Sequence, residues 1–264
     1  MVAPVRLFLE SRYQKFARDL PQTRFYCPRC KGHRRRREDC KTCDGRGKLS
    51  DDSVEELLSR RLLPALKAKR GTFHGAGRED IDVRMLGRGR PFVFEVIGVR
   101  RPDIDLDALL DRFHETAGDR VRIDPFRIVD RSRVGELKES KFRKLYRVGI
   151  QTEAADAASM LEGRIGESVR LEQRTPQRVV HRRKDLVRER DVTVCAVRRA
   201  DEDGMLEIDL ETEHGTYVKE FVSGDDERTT PSIAEWLGAQ AECARLDVLE
   251  ILDDVETISP TDGG

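Results

Sequence analysis

Two Cys-x-x-Cys pairs near the start of the chain constrain its first fifty residues more than any other feature. Cys27-Pro28-Arg29-Cys30 and Cys40-Lys41-Thr42-Cys43 stand with nine residues between them. Each pair can present two thiolates from one tight turn, and four thiolates at this spacing suit a tetrahedral structural zinc. Gly32, Gly45 and Gly47 supply the backbone freedom such turns need. Free thiols in an unstructured loop are the plain alternative. A redox pair is another, but two pairs in tandem are better explained by one metal. The run Arg34 to Arg37 falls between the ligand pairs, which makes a small rigid basic loop suited to phosphate contacts. Cys195 and Cys243 sit in apolar, strand-like runs and read as core residues.

The metal reading depends on compartment. No stretch approaches the ~20 apolar residues that a membrane span needs, and Met1 to Arg12 lacks the apolar core of a signal peptide. A cytoplasmic protein with no membrane partner is expected, where six cysteines point to metal or chemistry rather than disulfides. The chain has 264 residues, enough for a sizeable core, and 38% of them are charged, against about a quarter in an average domain. Its 50 basic and 50 acidic residues cancel, so only their distribution informs. Basic residues gather at Arg34 to Arg37, Lys138 to Arg147 and Arg178 to Arg190. Each run is either a solvated face or a nucleic-acid footprint.

The pattern divides the chain into a lead-in segment (1–24, partly strand), a zinc module (25–48) and a large domain (49–260). Ser50, Asp51 and Asp52 are N-cap candidates for a helix from about residue 52, which Pro64 should end or kink. A glycine-rich loop is expected over 71–90, then a buried strand at Phe92 to Val99. An amphipathic helix follows at 105–116, strands at 120–130 and 144–152, and a helix at 154–161. Further strands are expected at 167–172, within 178–200, at 205–213 and at 243–257, with a short helix at 232–237. Strands with a few helices give an α+β class with a mixed, largely antiparallel sheet.

One loop concentrates carboxylates. His74 to Gly87 contains Glu79, Asp80 and Asp82 beside Arg78 and Arg84. Alternation would place Asp80 and Asp82 on one face and Glu79 on the other. Composition alone favours a salt-bridged turn. A divalent-metal site for nuclease chemistry and a single nucleophilic carboxylate remain open beside it.

The residues Arg78-Glu79-Asp80 resemble the Arg-x-Asp element of pseudouridine synthases. The string Gly77 to Phe92 closely resembles the archaeal and eukaryotic family that makes pseudouridine in the T-arm of tRNA. Arg12 to Lys15, Leu20 to Thr23, Ser53 to Leu57, Arg174 to Arg183, Gly215 to Asp225 and Arg228 to Pro231 are similar to that family in the same order. The resemblance spans roughly residues 10–255, while the family's substantial extra N-terminal RNA-binding domain is expected to be lacking. It implies a pseudouridine-synthase-like fold and an isomerase that acts on a flipped-out uridine at position 54, 55 or both, with no cofactor for catalysis and only structural zinc.

The resemblance assigns the nucleophile to Asp80 and its basic partner to Lys219. It implies Arg78 as the residue filling the vacated space, Tyr146 as the ring stacked on the base, and Tyr217 as a second aromatic of the site. Arg182, Arg183 and Lys184 are expected on the RNA backbone, and Cys27, Cys30, Cys40 and Cys43 on zinc. The zinc cluster by itself also resembles chaperone-type zinc modules. A zinc-containing tRNA-binding protein without activity is therefore the alternative.

Overall fold

The computed structural model describes residues 5–181, 183–199 and 205–253. The chain divides into two compact units, Met1–Ser140 and Lys141–Gly264.

In the first unit, strands β1 (Arg6–Lys15), β2 (Arg70–Gly75) and β3 (Arg84–Ile97) make the sheet, joined by β4 (Val121–Ile123) and β5 (Arg127–Val129). β3 is central: β1 and β2 pair with it antiparallel, through Leu9↔Phe94 and Phe73↔Phe94, and β4 and β5 pair with β1. Residues 89–97 of β3 are all buried, as a continuous apolar run requires when both faces are covered. The expected loop over 71–90 is therefore a hairpin. Its only irregular part is the short turn at 76–83 between β2 and β3. Glycine content misled here, because Gly71 and Gly75 are strand residues. A Cβ on Gly71 would sit 2.2 Å from the Phe94 ring, so close packing is what requires glycine there.

Helices α1 (Arg34–Arg37), α2 (Val54–Ala65), α3 (Leu106–Ala117) and α4 (Ser132–Glu139) complete the unit. α2 starts at Ser53, whose hydroxyl accepts from the Glu56 amide at 3.2 Å and donates to the Glu56 carboxylate at 2.9 Å. This is a capping box. Pro64 falls in the last turn, so the helix continues only one residue beyond it. α3 buries Leu109, Leu110, Phe113 and Ala117 along one stripe. Beneath the 76–83 turn lies an aromatic triad. Phe73 and Phe92 stack at 4.8 Å between centroids, and Tyr13 meets both edge-on at 5.8 and 5.9 Å.

The second unit contains β6 (Arg143–Thr152), α5 (Ala157–Glu162), β7 (Ser168–Arg174), β8 (Val187–Arg199), β9 (Leu206–Thr212), α6 (Val218–Ser223), β10 (Thr229–Thr230), α7 (Ile233–Leu237) and β11 (Ala241–Leu252). Its strands run in the order β10-β7-β8-β9-β6-β11, all paired antiparallel. Leu206, Ile208 and Leu210 of β9 are buried as its alternating sequence requires, and Asp209 between them is buried too, paired with Arg147 and Arg198. Two expectations fail in this unit. Cys195 is exposed and Cys243 half-buried. Each sits where a strand register shifts, so its apolar neighbours do not place it inward. The strand expected within 178–200 is β8, which starts at Val187.

Candidate functional site

The four cysteines converge. Cys27, Cys30, Cys40 and Cys43 are all buried, and their sulfurs lie within 4.8 Å of one another. Cys27 Sγ is 3.8 Å from Cys40 Sγ, and Cys30 Sγ is 3.7 Å from Cys43 Sγ. A tetrahedral ion with metal–sulfur bonds of about 2.3 Å needs sulfur–sulfur edges of about 3.8 Å, so the donor set fits a structural metal such as zinc. The backbone closes tightly around it. Gly47 N donates to Cys43 Sγ at 3.2 Å, as thiolate ligands commonly accept. Gly32 and Gly47 both take left-handed φ and touch each other, and a Cβ on Gly32 would strike the Tyr26 ring at 2.7 Å. The base of the module is tied to α2 by Lys48 and Arg24, which both pair with Glu56.

The carboxylate loop separates its three acids. Glu79 is buried; Asp80 is half-buried; Asp82 is exposed. The expected alternation is lost because residues 81–82 form a turn rather than strand. Glu79 has a structural role. Arg90 Nε donates to it at 2.9 Å, and the Tyr13 hydroxyl donates to it at 2.8 Å. Burial, and then the Glu79 charge, push the Tyr13 hydroxyl well above its ordinary pKa, which keeps it a donor.

The main chain of this loop is held from below. Lys15, fully buried, points its ammonium at three carbonyls: Leu20 at 2.8 Å, Ile81 at 2.9 Å and Asp80 at 3.3 Å. Burial lowers its pKa to about 8, opposed by Glu79 and Asp82. Gln22 Nε2 donates to the Gly77 carbonyl at 3.0 Å, Arg90 Nη1 to the Ala76 carbonyl at 2.8 Å and Arg18 Nη1 to the Asp82 carbonyl at 2.9 Å. Four side chains thus fix the backbone on both sides of Asp80. Sequence reasoning placed Tyr13, Lys15 and Gln22 in family-like motifs without giving them this work. Arg78 is exposed beside Asp80. His74 is bonded to Glu95 at 3.1 Å. A cavity of about 510 Å³ lies beside that pair, lined by Arg6, Arg131 and Lys138, and includes neither Asp80 nor the cysteines.

In the second unit, Tyr146 lies half-buried on β6, between Leu210 of β9 and Val248 of β11. Tyr217 caps the start of α6, and Gln173 holds both its amide and its carbonyl at 3.0 Å. Lys219 is half-buried in the first turn of that helix. The 178–190 run is partly used internally: Arg178 pairs with Glu220, and Arg188 donates to Thr175. Asp185, within the run, takes Arg174 and Arg228. Arg183 and Lys184 are exposed, with Arg183 reaching the Tyr217 hydroxyl at 3.4 Å. Arg182 lies outside the described residues.

A family model described as "Pus10, C-terminal" matches residues 8–252, and the chain belongs to that family. Its relatives carry a more particular name. A protein from Methanopyrus kandleri called tRNA pseudouridine synthase Pus10 is 41% identical over 254 residues, covering 94% of this chain and 56% of its own. Proteins of the same name from Methanothermobacter marburgensis and Halorubrum lacusprofundi are 43% and 40% identical, covering 93% and 92% of this chain and 60% and 58% of theirs. The chain therefore spans little more than half the length of these curated relatives.

Proposed function

We propose that this chain is the catalytic part of a tRNA pseudouridine synthase that isomerises uridine 54, uridine 55 or both in the T-loop. The observation carrying this reading is the match to one family over residues 8–252, which takes in the Asp80 loop, Tyr146 and the Tyr217-Lys219 segment. The clamped backbone around Asp80 supports it, because a nucleophile must be held within a fraction of an ångström of its target.

In the proposed reaction the N1–C1′ bond of the uridine breaks and the uracil turns. A C5–C1′ bond then forms, the proton leaves C5 and N1 gains one. Atoms and electrons balance without any co-reactant. Asp80 is the nucleophile, acting at the sugar C1′ or the base C6. Lys219 is its proposed basic partner, keeping the carboxylate ionised. Tyr146 stacks on the flipped base, Tyr217 is the second aromatic of the site, and Arg78 fills the space the nucleotide leaves. Arg182, Arg183 and Lys184 contact the RNA backbone. Cys27, Cys30, Cys40 and Cys43 hold one zinc ion, whose contribution is folding energy alone. The tRNA is the macromolecular partner, in the cytoplasm.

Incubation with unmodified tRNA, followed by carbodiimide treatment and primer extension, tests the reading. Pseudouridine at 54, 55 or both is expected, with intact RNA and no requirement for added magnesium. RNA cleaved only in the presence of magnesium would replace the isomerase by a nuclease. Tight binding with unchanged uridines would leave a tRNA-binding protein.

A further inference from the structure

We infer that the tip of the cysteine module is an RNA-docking surface, on which Arg34 to Arg37 engage successive phosphates. The inference rests on the tRNA reading above and assigns a second contact to it, away from the Asp80 loop.

Charge is the first observation. Between residues 24 and 48 there are ten lysines and arginines against three acids, in a chain whose totals are 50 and 50. The second is how those cations are used. At the base of the module Arg24 and Lys48 pair with Glu56, and Arg46 pairs with Asp51. At the tip, Arg29, Lys31, Arg34, Arg35, Arg36, Arg37 and Lys41 are exposed, and among the described residues none of them has an ion pair or side-chain hydrogen bond. Several arginines elsewhere behave differently. Arg127 and Arg133 share Glu10, Arg170 takes Glu189 and Asp191, and Arg178 takes Glu220. A fold gains nothing by holding seven unpaired like charges on one small knob, since their mutual repulsion opposes it.

Rigidity is the third observation. α1 places the four arginines on a single helical turn directly between the two ligand pairs, so their backbone is fixed by the cysteine cluster. Docking then orders side chains but not the loop, which lowers its entropic cost. Tyr26 distinguishes the partner. Its ring is exposed, rests against Gly32 on the same module and lies beside the Arg24 guanidinium. Cations interleaved with an exposed ring suit nucleic acid, whose phosphates and bases offer both partners, better than an acidic protein.

The test uses the intact zinc-loaded protein with the four substitutions Arg34→Gln, Arg35→Gln, Arg36→Gln and Arg37→Gln combined. Zinc content and melting temperature report whether the module persists. Binding of unmodified tRNA is measured from low to physiological salt. Affinity at physiological salt is expected to fall roughly ten- to a hundredfold, and the slope of log K against log salt to flatten by about 3, at somewhat under one unit per lost phosphate contact. Pseudouridine formation at saturating tRNA is expected to keep its rate. Tyr26→Ala is expected to weaken binding several-fold and leave the slope unchanged. Unchanged affinity and slope in the quadruple variant, with zinc retained, overturn the inference. So does binding of polyglutamate as tight as that of tRNA. Loss of tRNA binding in the variant supports the inference even if the wild type forms no pseudouridine, whereas an active wild type with an unaffected variant sinks the inference alone.

Discussion

At the residue scale, the loop before β3 divides its acids by environment. Glu79 is sealed with Arg90, both almost fully buried, so removing one partner strands a charge. Glu79→Ala is expected to destabilise the protein by about 3–5 kcal/mol, read from denaturant midpoints. A loss below about 1 kcal/mol would show that the pair is not sealed. Lys15 tests the clamp. The unfolded lysine titrates near 10.5 and the folded one at about 8. Between those values the unfolded chain keeps a proton that the folded chain has released, so this group's contribution to stability rises with pH through that window. Its grip moves the other way, because a neutral amine has only two N–H bonds for three carbonyls. The rate of isomerisation is therefore expected to decline above pH 8. Lys15→Met should lower kcat roughly ten- to a hundredfold without weakening tRNA binding, and should remove that alkaline decline. Wild-type kcat in Lys15→Met would refute the clamp.

At the element scale, the cysteine spacing alone led to the correct cluster, because a Cys-x-x-Cys turn is a local device that needs no tertiary context. The strands of the first unit were harder to see. β2 and the start of β3 are hidden by glycines, whose purpose is to let backbone approach the Phe94 and Tyr13 layers. α6, which carries Lys219, has six residues and is too short to show a period in sequence. The buried status of Lys15 and Arg90 was also invisible, since such side chains are buried only when tertiary partners satisfy them. Two predictions belong to elements. Ser53→Ala removes the α2 cap and is expected to cost about 1 kcal/mol in a thermal or chemical melt. Stripping the metal with a strong chelator, or Cys40→Ser, should abolish stoichiometric zinc and open residues 25–48 to proteolysis. A module that stays protease-resistant without metal would mean that its own packing suffices.

At the scale of the whole molecule, formal neutrality conceals a division of labour. Many cations outside the cysteine module pair with carboxylates, as Arg90 does with Glu79 and Arg147 with Asp209, and those at its tip do not. At low substrate, kcat/KM is expected to fall at least about tenfold between 50 and 200 mM salt, while kcat at saturation changes little. The chain covers more than nine-tenths of itself with family resemblance, and no helix among the described residues is long and apolar enough to cross a membrane. Asp80 is the proposed nucleophile. Asp80→Asn keeps the size of the side chain and the backbone contacts of the loop, and it removes only the negative charge. With saturating unmodified tRNA, the wild type is expected to place pseudouridine in the T-loop. The Asp80→Asn protein should form none above background while binding tRNA within about threefold of wild type. Pseudouridine from the Asp80→Asn protein at a wild-type rate would contradict the account.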